Sequence, residues 1–392
     1  MPLDALQVGA QVRALSAHLE SRREFHRNRL PVAREVLLRQ AQDWERLAVL
    51  AQRSTSRLAT PIEPLDAILD APGAPASYTV LATDGSQIEP DHHGIAEYFL
   101  INLGTVSIRY GPAPDARLET NAQLFFEDKD RFITDGSSGS RRVPVQDGHL
   151  AALRSVMELG AVVQLAGLVA DDGSPRLALQ DGTLLLWVLE QRPNDFIRDQ
   201  LLRPYVGHLQ RLREQRTPVA SYISRPRSTE VSGLLREATC RGEISGCGPC
   251  RSMGDACALE ALHDRELFHD LEIGQRSARF AVTLNPDLAG YYEDHRVHFF
   301  FLRVDEDEIA RVEVPEWIAS DESALGLVQS VILDQCQRGL GYPVAIARAH
   351  EKAIVTGADR SVLRSMIEAT LAQAGIQVSS SAKQSSKRIH AV

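Results

Sequence analysis

At 392 residues, with 44 % hydrophobic and 24 % charged residues, the chain can bury a large core, and its composition is not that of a disordered or fibrous protein. The formal net charge of -9 excludes an overall positive field as the means of drawing in a polyanion, so nucleic acid binding would need a local groove, metal ions or a partner. The start Met1-Pro2-Leu3-Asp4 has no basic region followed by an apolar core, and the longest apolar run, residues 159–170, is too short to span a bilayer; the expectation is a soluble cytoplasmic protein with no membrane contact.

Two amphipathic helices are expected from residue 6 to about residue 54. Val12, Leu15 and Leu19 form one stripe, Val36, Leu47 and Leu50 belong to the second helix, and Pro31 separates the two. Pro61, Pro64, Pro72 and Pro75 each remove a backbone donor and disfavour helix, which marks the next stretch as a linker. The expected organisation is an N-terminal helical region and linker over residues 1–75, then a main domain over residues 78–375.

Short β-rich runs at residues 78–83, 95–102, 105–109 and 124–127, bounded by glycine and proline, read as neighbouring strands of a mixed sheet. Residues 135–142 have turn composition and form a surface loop, whose Arg141 and Arg142 either touch phosphate or are simply solvated. A helix over about 147–168, a strand over 176–180, a strand or buried segment over 184–189 and a helix over 195–213 give the alternation of an α/β domain. Beyond them lie expected strands at 219–223, 279–284, 297–304 and 344–348, helices at about 323–338 and 360–373, and a Ser/Lys tail, 379–392, with the composition of disorder. There is no internal repeat and no Gly-Lys-Ser/Thr loop to cradle a triphosphate.

The chemistry concentrates in acids. Asp84-Gly85-Ser86 follows an apolar strand, an arrangement that suits a hard cation, although the same tripeptide is a common turn. A second strand ends alike, in Asp181-Gly182-Thr183, and two such ends can put two carboxylates on one rim of a sheet. Glu158 lies between them in an apolar helix, where a carboxylate is expensive unless paired or metal-bound; Arg154, four residues earlier, is the plain ion-pair partner. Three such acids are what two-metal phosphoryl chemistry needs. His350, expected at the end of the strand 344–348, is either a ligand or proton donor or an ordinary solvated histidine.

At these residues the sequence resembles the NurA nucleases, DNA-end-processing enzymes that work with the HerA hexameric translocase. The resemblance runs from Thr83 to about Val355. It is carried by the block from Ala82 through Asp84-Gly85-Ser86-Gln87-Ile88-Glu89-Pro90 to Asp91-His92-His93, by the helix bearing Glu158, by Asp181-Gly182-Thr183, by Ser221-Tyr222-Ile223-Ser224 and by Gly341-Tyr342-Pro343 through Ala349-His350. It implies an RNase H-like α/β fold, a mixed sheet flanked by helices, to which this chain's own sequence adds an N-terminal helical extension and a cysteine-rich insertion that departs from the family pattern. Position by position it implies a site of Asp84, Glu158, Asp181, Tyr342 and His350, with Asp84, Glu158, Asp181 and His350 holding Mn²⁺ or Mg²⁺. Glu97 and Glu127 compete with Glu158 for the helical acid. It further implies a homodimer and a DNA substrate cut by single-strand endonuclease and 5′ to 3′ exonuclease activity, in end processing and double-strand break repair with a HerA-type ATPase.

Four of the five cysteines, Cys240, Cys247, Cys250 and Cys257, fall in one stretch, with Gly246, Gly248 and Pro249 allowing a tight loop. Four sulfurs suit zinc or an iron–sulfur cluster; a redox pair and idle thiols are the other readings. Two alternatives to a DNA nuclease stand beside it: a non-catalytic DNA- or partner-binding module built on the cysteine cluster, and the same metal site acting on RNA.

Overall fold

The computed structural model describes residues 4–90, 96–136, 141–169, 173–190, 195–240, 258–260 and 262–376. The chain forms two compact units, Met1–Ala71 with Ile223–Leu284 and His298–Val312, and Pro72–Tyr222 with Asn285–Val297 and Glu313–Val392.

The first unit opens with α1, Ala5–Gln40, which runs unbroken through Pro31, and α2, Trp44–Arg53. Pro31 therefore does not separate two helices, as the sequence suggested. It sits on an exposed face beside exposed Arg27, whose carbonyl loses its helical donor where water can replace it. Val12, Leu15 and Leu19 are about half exposed, whereas Ala33, Val36 and Leu37 are fully buried, so among the described side chains the later turns of α1 supply its part of the core.

The proline-rich stretch is not a free linker either. Strand β1, Ala59–Pro61, pairs antiparallel with a later strand, Phe280–Val282, and β2, Leu69–Asp70, pairs with Gln275–Arg276. Between them Glu63 is gripped by Arg276 at 3.0 Å and Arg279 at 2.6 Å. Burial raises the pKa of that carboxyl, but the two guanidiniums outweigh burial and hold it below its ordinary value. Leu47, Leu58 and Leu65 close over Phe268, Phe280, Phe299 and Phe301 to form this unit's core.

The second unit is built on five strands: β3, Tyr78–Ile88; β4, Phe99–Tyr110; β5, Asp115–Phe125; β6, Arg176–Asp181; and β7, Val219–Ile223. Their order is β7-β6-β3-β4-β5. β3, β4 and β5 form an antiparallel meander, while β3, β6 and β7 run parallel, so β3 is the hinge of a mixed sheet. Its residues 78–83 are all buried, so both faces of β3 are covered. Helix α3, Asp147–Leu168, packs on β3 and on α4, Asp195–Glu214. α3 is also apolar and long enough to cross a membrane, but half of that stretch is buried within the unit, as in a core helix.

Further along lie α5, Glu230–Thr239, in the first unit, and α6, Glu322–Arg338, α7, Val344–Ala353, and α8, Gly357–Gln373, in the second. The expected strand 344–348 is thus a helix. Ala345, Ile346, Ala349 and Ala353 are buried at helical spacing, and Pro343 stands at the N-cap, so a stripe of small residues rather than an alternating strand meets the sheet. α7 packs on β3, β4 and β5. In the expected loop 135–142, Ser137 to Ser140 lie outside the described residues, and Arg142 begins a short strand, stacks 4.1 Å from the ring of Phe132 and pairs with Asp128.

Candidate functional site

Asp84 does not end its strand. It is the seventh of the eleven residues of β3 and pairs with Gly104, so Asp84-Gly85-Ser86 is extended backbone and not a turn. On the other edge of β3 the parallel pairing with β6 stops at Thr83 opposite Gln180. The next residue on each strand is an acid, Asp84 on β3 and Asp181 on β6. Two carboxylates therefore sit side by side where two parallel strands part, the shared rim that the sequence suggested.

The turn after β6 is fixed tightly. Gly182 has φ +83 and donates its amide to Tyr222 at 3.1 Å; Thr183 donates its hydroxyl to the buried carboxylate of Glu313 at 2.7 Å, and Leu184 donates its amide to the same group at 2.9 Å. Glu313 escaped the sequence reading; its signal was a lone acid in the apolar alternation Val312-Glu313-Val314.

Above the two aspartates stand the residues of α7 and the turn before it. His350 Nδ1 lies 2.7 Å from Asp84 Oδ2, and the Tyr342 hydroxyl donates to Asp181 Oδ1 at 3.1 Å. Tyr342 meets the ring of buried Tyr222 edge-on, with centroids 5.4 Å apart. α7 seats this closely because Gly104 has no side chain: a Cβ there would overlap the Ala349 carbonyl and stand 2.7 Å from the Ala353 amide. The carbonyls at the end of α7 are held from three strands. Ser86 and Asn102 donate to Ala353, and Thr120 donates to Lys352 at 3.0 Å. Of these positioning residues only Ser86 belongs to a sequence motif; Asn102, Gly104 and Thr120 carry no chemistry of their own that would single them out in the sequence.

Glu158 reaches the site from the opposite face of β3. Asp84 faces α7, so by strand alternation Gly85 faces α3, and a Cβ at Gly85 would stand 2.5 Å from Glu158 Oε1. Thr83 also donates its hydroxyl to the Glu158 backbone carbonyl at 3.0 Å, pinning helix to strand at this residue. Glu158 is 6 % exposed. Its pKa is pushed up to about 7, first by burial, with the charges of Asp84 and Asp181 adding to the rise and Arg154 opposing it. Burial likewise raises Asp181, helped by Asp84 and opposed by the Tyr342 hydroxyl, even though the residue as a whole is exposed. Tyr342 is pushed well above the ordinary tyrosine range by burial and by Asp181.

The two rivals of Glu158 are engaged elsewhere, Glu97 with Arg131 and Glu127 with Lys129. Among the described residues, no three His, Cys, Asp or Glu side chains are close enough to ligate one ion. Asp84 is paired with His350, Asp181 with Tyr342 and Glu158 with Arg154, and Glu158 approaches from the other face of β3. In donor type the set still fits a hard divalent cation, being three carboxylates with one imidazole. Glu158, its pKa raised first by burial and then by the charges of Asp84 and Asp181, is the residue that a cation would relieve. Of the cysteine cluster, Cys240 is half-buried at the C-cap of α5, while Cys247, Cys250 and Cys257 lie outside the described residues, as do Asp91, His92 and His93.

The sequence profile of the NurA domain matches residues 78–355, more than half of the chain and the stretch that holds all five candidate residues. The chain belongs to the NurA family. Among solved structures, the NurA nuclease from Sulfolobus solfataricus is similar at 13 % identity with a TM-score of 0.46, over 79 % of this chain and 87 % of that one. No curated protein matches the chain. The fold of this NurA family member is a mixed α/β one, its second unit a mixed sheet flanked by helices.

Proposed function

We propose that this NurA family protein is a divalent-metal-dependent nuclease that hydrolyses DNA phosphodiester bonds at the rim formed by Asp84 and Asp181. The observation that carries the reading is the register: the two acids occupy adjacent positions where β3 and β6 part, each already hydrogen-bonded to a residue, His350 or Tyr342, of one approaching segment. An RNase H-like assignment is supported by the sheet, three antiparallel strands and two parallel ones with the first acid on the strand they share.

Asp84, Asp181 and Glu158, with His350, would hold Mn²⁺ or Mg²⁺. When bound, the cation neutralises the phosphate and polarises its oxygens. The chain's own residues do the rest. Asp84 orients the imidazole through Nδ1, leaving Nε2 to hold a proton for the departing oxygen or to join the ligands. Tyr342 fixes the Asp181 carboxylate and offers a ring against which a base can stack. Single-strand endonuclease and 5′ to 3′ exonuclease activity, a homodimer, a HerA-type translocase partner, a cytoplasmic setting and a role in DNA end processing and break repair complete the reading by family resemblance.

The test is digestion of matched single-stranded DNA and RNA with Mn²⁺ and with EDTA, using the wild type, Asp84→Asn and Asp181→Asn. Mn²⁺-dependent DNA cleavage lost in both variants, with their far-UV spectra unchanged, is the expected result. Full activity in either variant would sink the assignment, preference for RNA would change the substrate, and DNA binding without cleavage would favour a binding module.

A further inference from the structure

Arg154 makes an unusual ion pair. Its Nε stands 3.1 Å from Glu158 Oε1, yet that buried Nε makes no hydrogen bond of acceptable geometry, and the guanidinium does not grip the carboxylate with its fork. Nη1 instead donates to Gln87 Oε1 at 3.2 Å. Gln87 lies three residues beyond Asp84 on β3, so Arg154 spans from the buried acid towards the site's open end. The Arg154 side chain is 32 % exposed against 8 % for Glu158, so one partner can leave into solvent and the other cannot. A permanent structural pair at a buried acid would be expected to be bidentate and closed.

We propose that Arg154 is a resident counter-ion that occupies the place of the cation at Glu158. On metal binding it swings off the carboxylate and presents its guanidinium to a phosphate of the nucleic acid strand. This rests on the metal-dependent reading of the site. Gly85 is what lets the Arg154 stem lie against β3 beside the acid, since a Cβ there would stand 2.8 Å from Arg154 Cγ and 3.0 Å from Cδ, and the partly exposed end of the side chain is the part free to move. The result is an order of events in which the phosphate contact becomes available only after the ion has arrived. Free nucleic acid would then be held weakly by a metal-free site.

The experiment measures Mn²⁺ binding by loss of the free-ion EPR signal at pH 8.5 without oxygen, for the wild type, Arg154→Gln, Glu158→Gln and the double variant, with Arg154→Lys as the charge-retaining control. Arg154→Gln is expected to bind Mn²⁺ about tenfold more tightly than the wild type, because a competing cation has gone. That gain is expected to vanish in the Glu158→Gln background, and Arg154→Lys is expected to stay near the wild type. A fluorescent single-stranded oligonucleotide is then titrated in EDTA and in Ca²⁺. Arg154→Gln is expected to lose about tenfold in affinity in Ca²⁺ and nothing in EDTA. Unchanged or weaker Mn²⁺ binding in Arg154→Gln, a gain that persists without Glu158, or equal oligonucleotide losses in both buffers would each overturn the proposal. If wild-type Mn²⁺ binding is unaffected by Asp84→Asn, the metal reading falls and this inference with it, which separates that failure from the others.

Discussion

Replacing Glu158 by Gln should stabilise the metal-free protein, and the gain should depend on pH. The carboxyl is 6 % exposed and its pKa is raised from 4.5 to about 7. Below pH 4.5 the group is protonated in both folded and unfolded chains and contributes no difference. Between pH 4.5 and 7 the folded protein keeps a proton that the unfolded chain releases, so stability falls as pH rises; above 7 the full penalty of a buried charge is in place. At about 1.4 kcal/mol per pH unit the penalty is about 3 kcal/mol, an upper figure because Arg154 loses its partner in the variant. In a unit of this size that is worth roughly 5–10 °C in Tm. Thermal unfolding in EDTA at pH 5, 6, 7 and 8 measures it: the variant should lie nearest the wild type at pH 5 and exceed it increasingly towards pH 8, and saturating Mn²⁺ should narrow the gap by stabilising the wild type more than the variant. A difference that does not change between pH 5 and 8, or a variant less stable than the wild type at pH 8, would refute the reasoning.

Gly104→Ala should force α7 off the sheet, costing about 1–3 kcal/mol by overpacking and about a hundredfold in cleavage through misplacement of His350. Combining it with His350→Ala should add little further loss of rate if the effect passes through that histidine. Tyr342→Phe removes the hydroxyl that lowers the Asp181 pKa, so the acidic limb of the pH–rate profile should move to higher pH, whereas an unmoved limb would argue that Asp181 does not titrate in the reaction. For the cysteine cluster we propose a structural zinc or iron–sulfur site, and protein purified without air should carry zinc or iron that is lost in Cys240→Ser. Four free thiols and no metal in the wild type would retire it.

The sequence pattern located most strands and helices of the second unit because their apolar periodicity is long and undisturbed, as in α3, α4 and β6. It misread segments where a proline or a short apolar run admits two answers. Pro31 lies in a helix whose exposed face tolerates it, the proline-rich residues 59–70 supply strands that need only two or three paired residues each, and residues 344–353 carry a small-residue stripe too short to separate helix from strand by period. The acids were legible because charge in an apolar context is conspicuous. Their relation was not: that Asp84 and Glu158 approach from opposite faces of one strand follows from pairing with β4 and the packing of α3, neither of which local sequence encodes.

Because Asp84 lies within a paired strand, its position is an inherited property of the sheet. A slip of one residue against β4 would turn the carboxylate to the α3 face, and a slip of two would carry it roughly 7 Å along the strand, away from Asp181 and His350. Local breathing of a loop can loosen many active sites; here the first acid can drift only if eleven paired positions unzip together. The ladder that builds the fold thus also serves as the ruler that spaces the site, and the freedom needed to admit ions and substrate must come from the side that carries no ladder: His350, Tyr342 and Arg154.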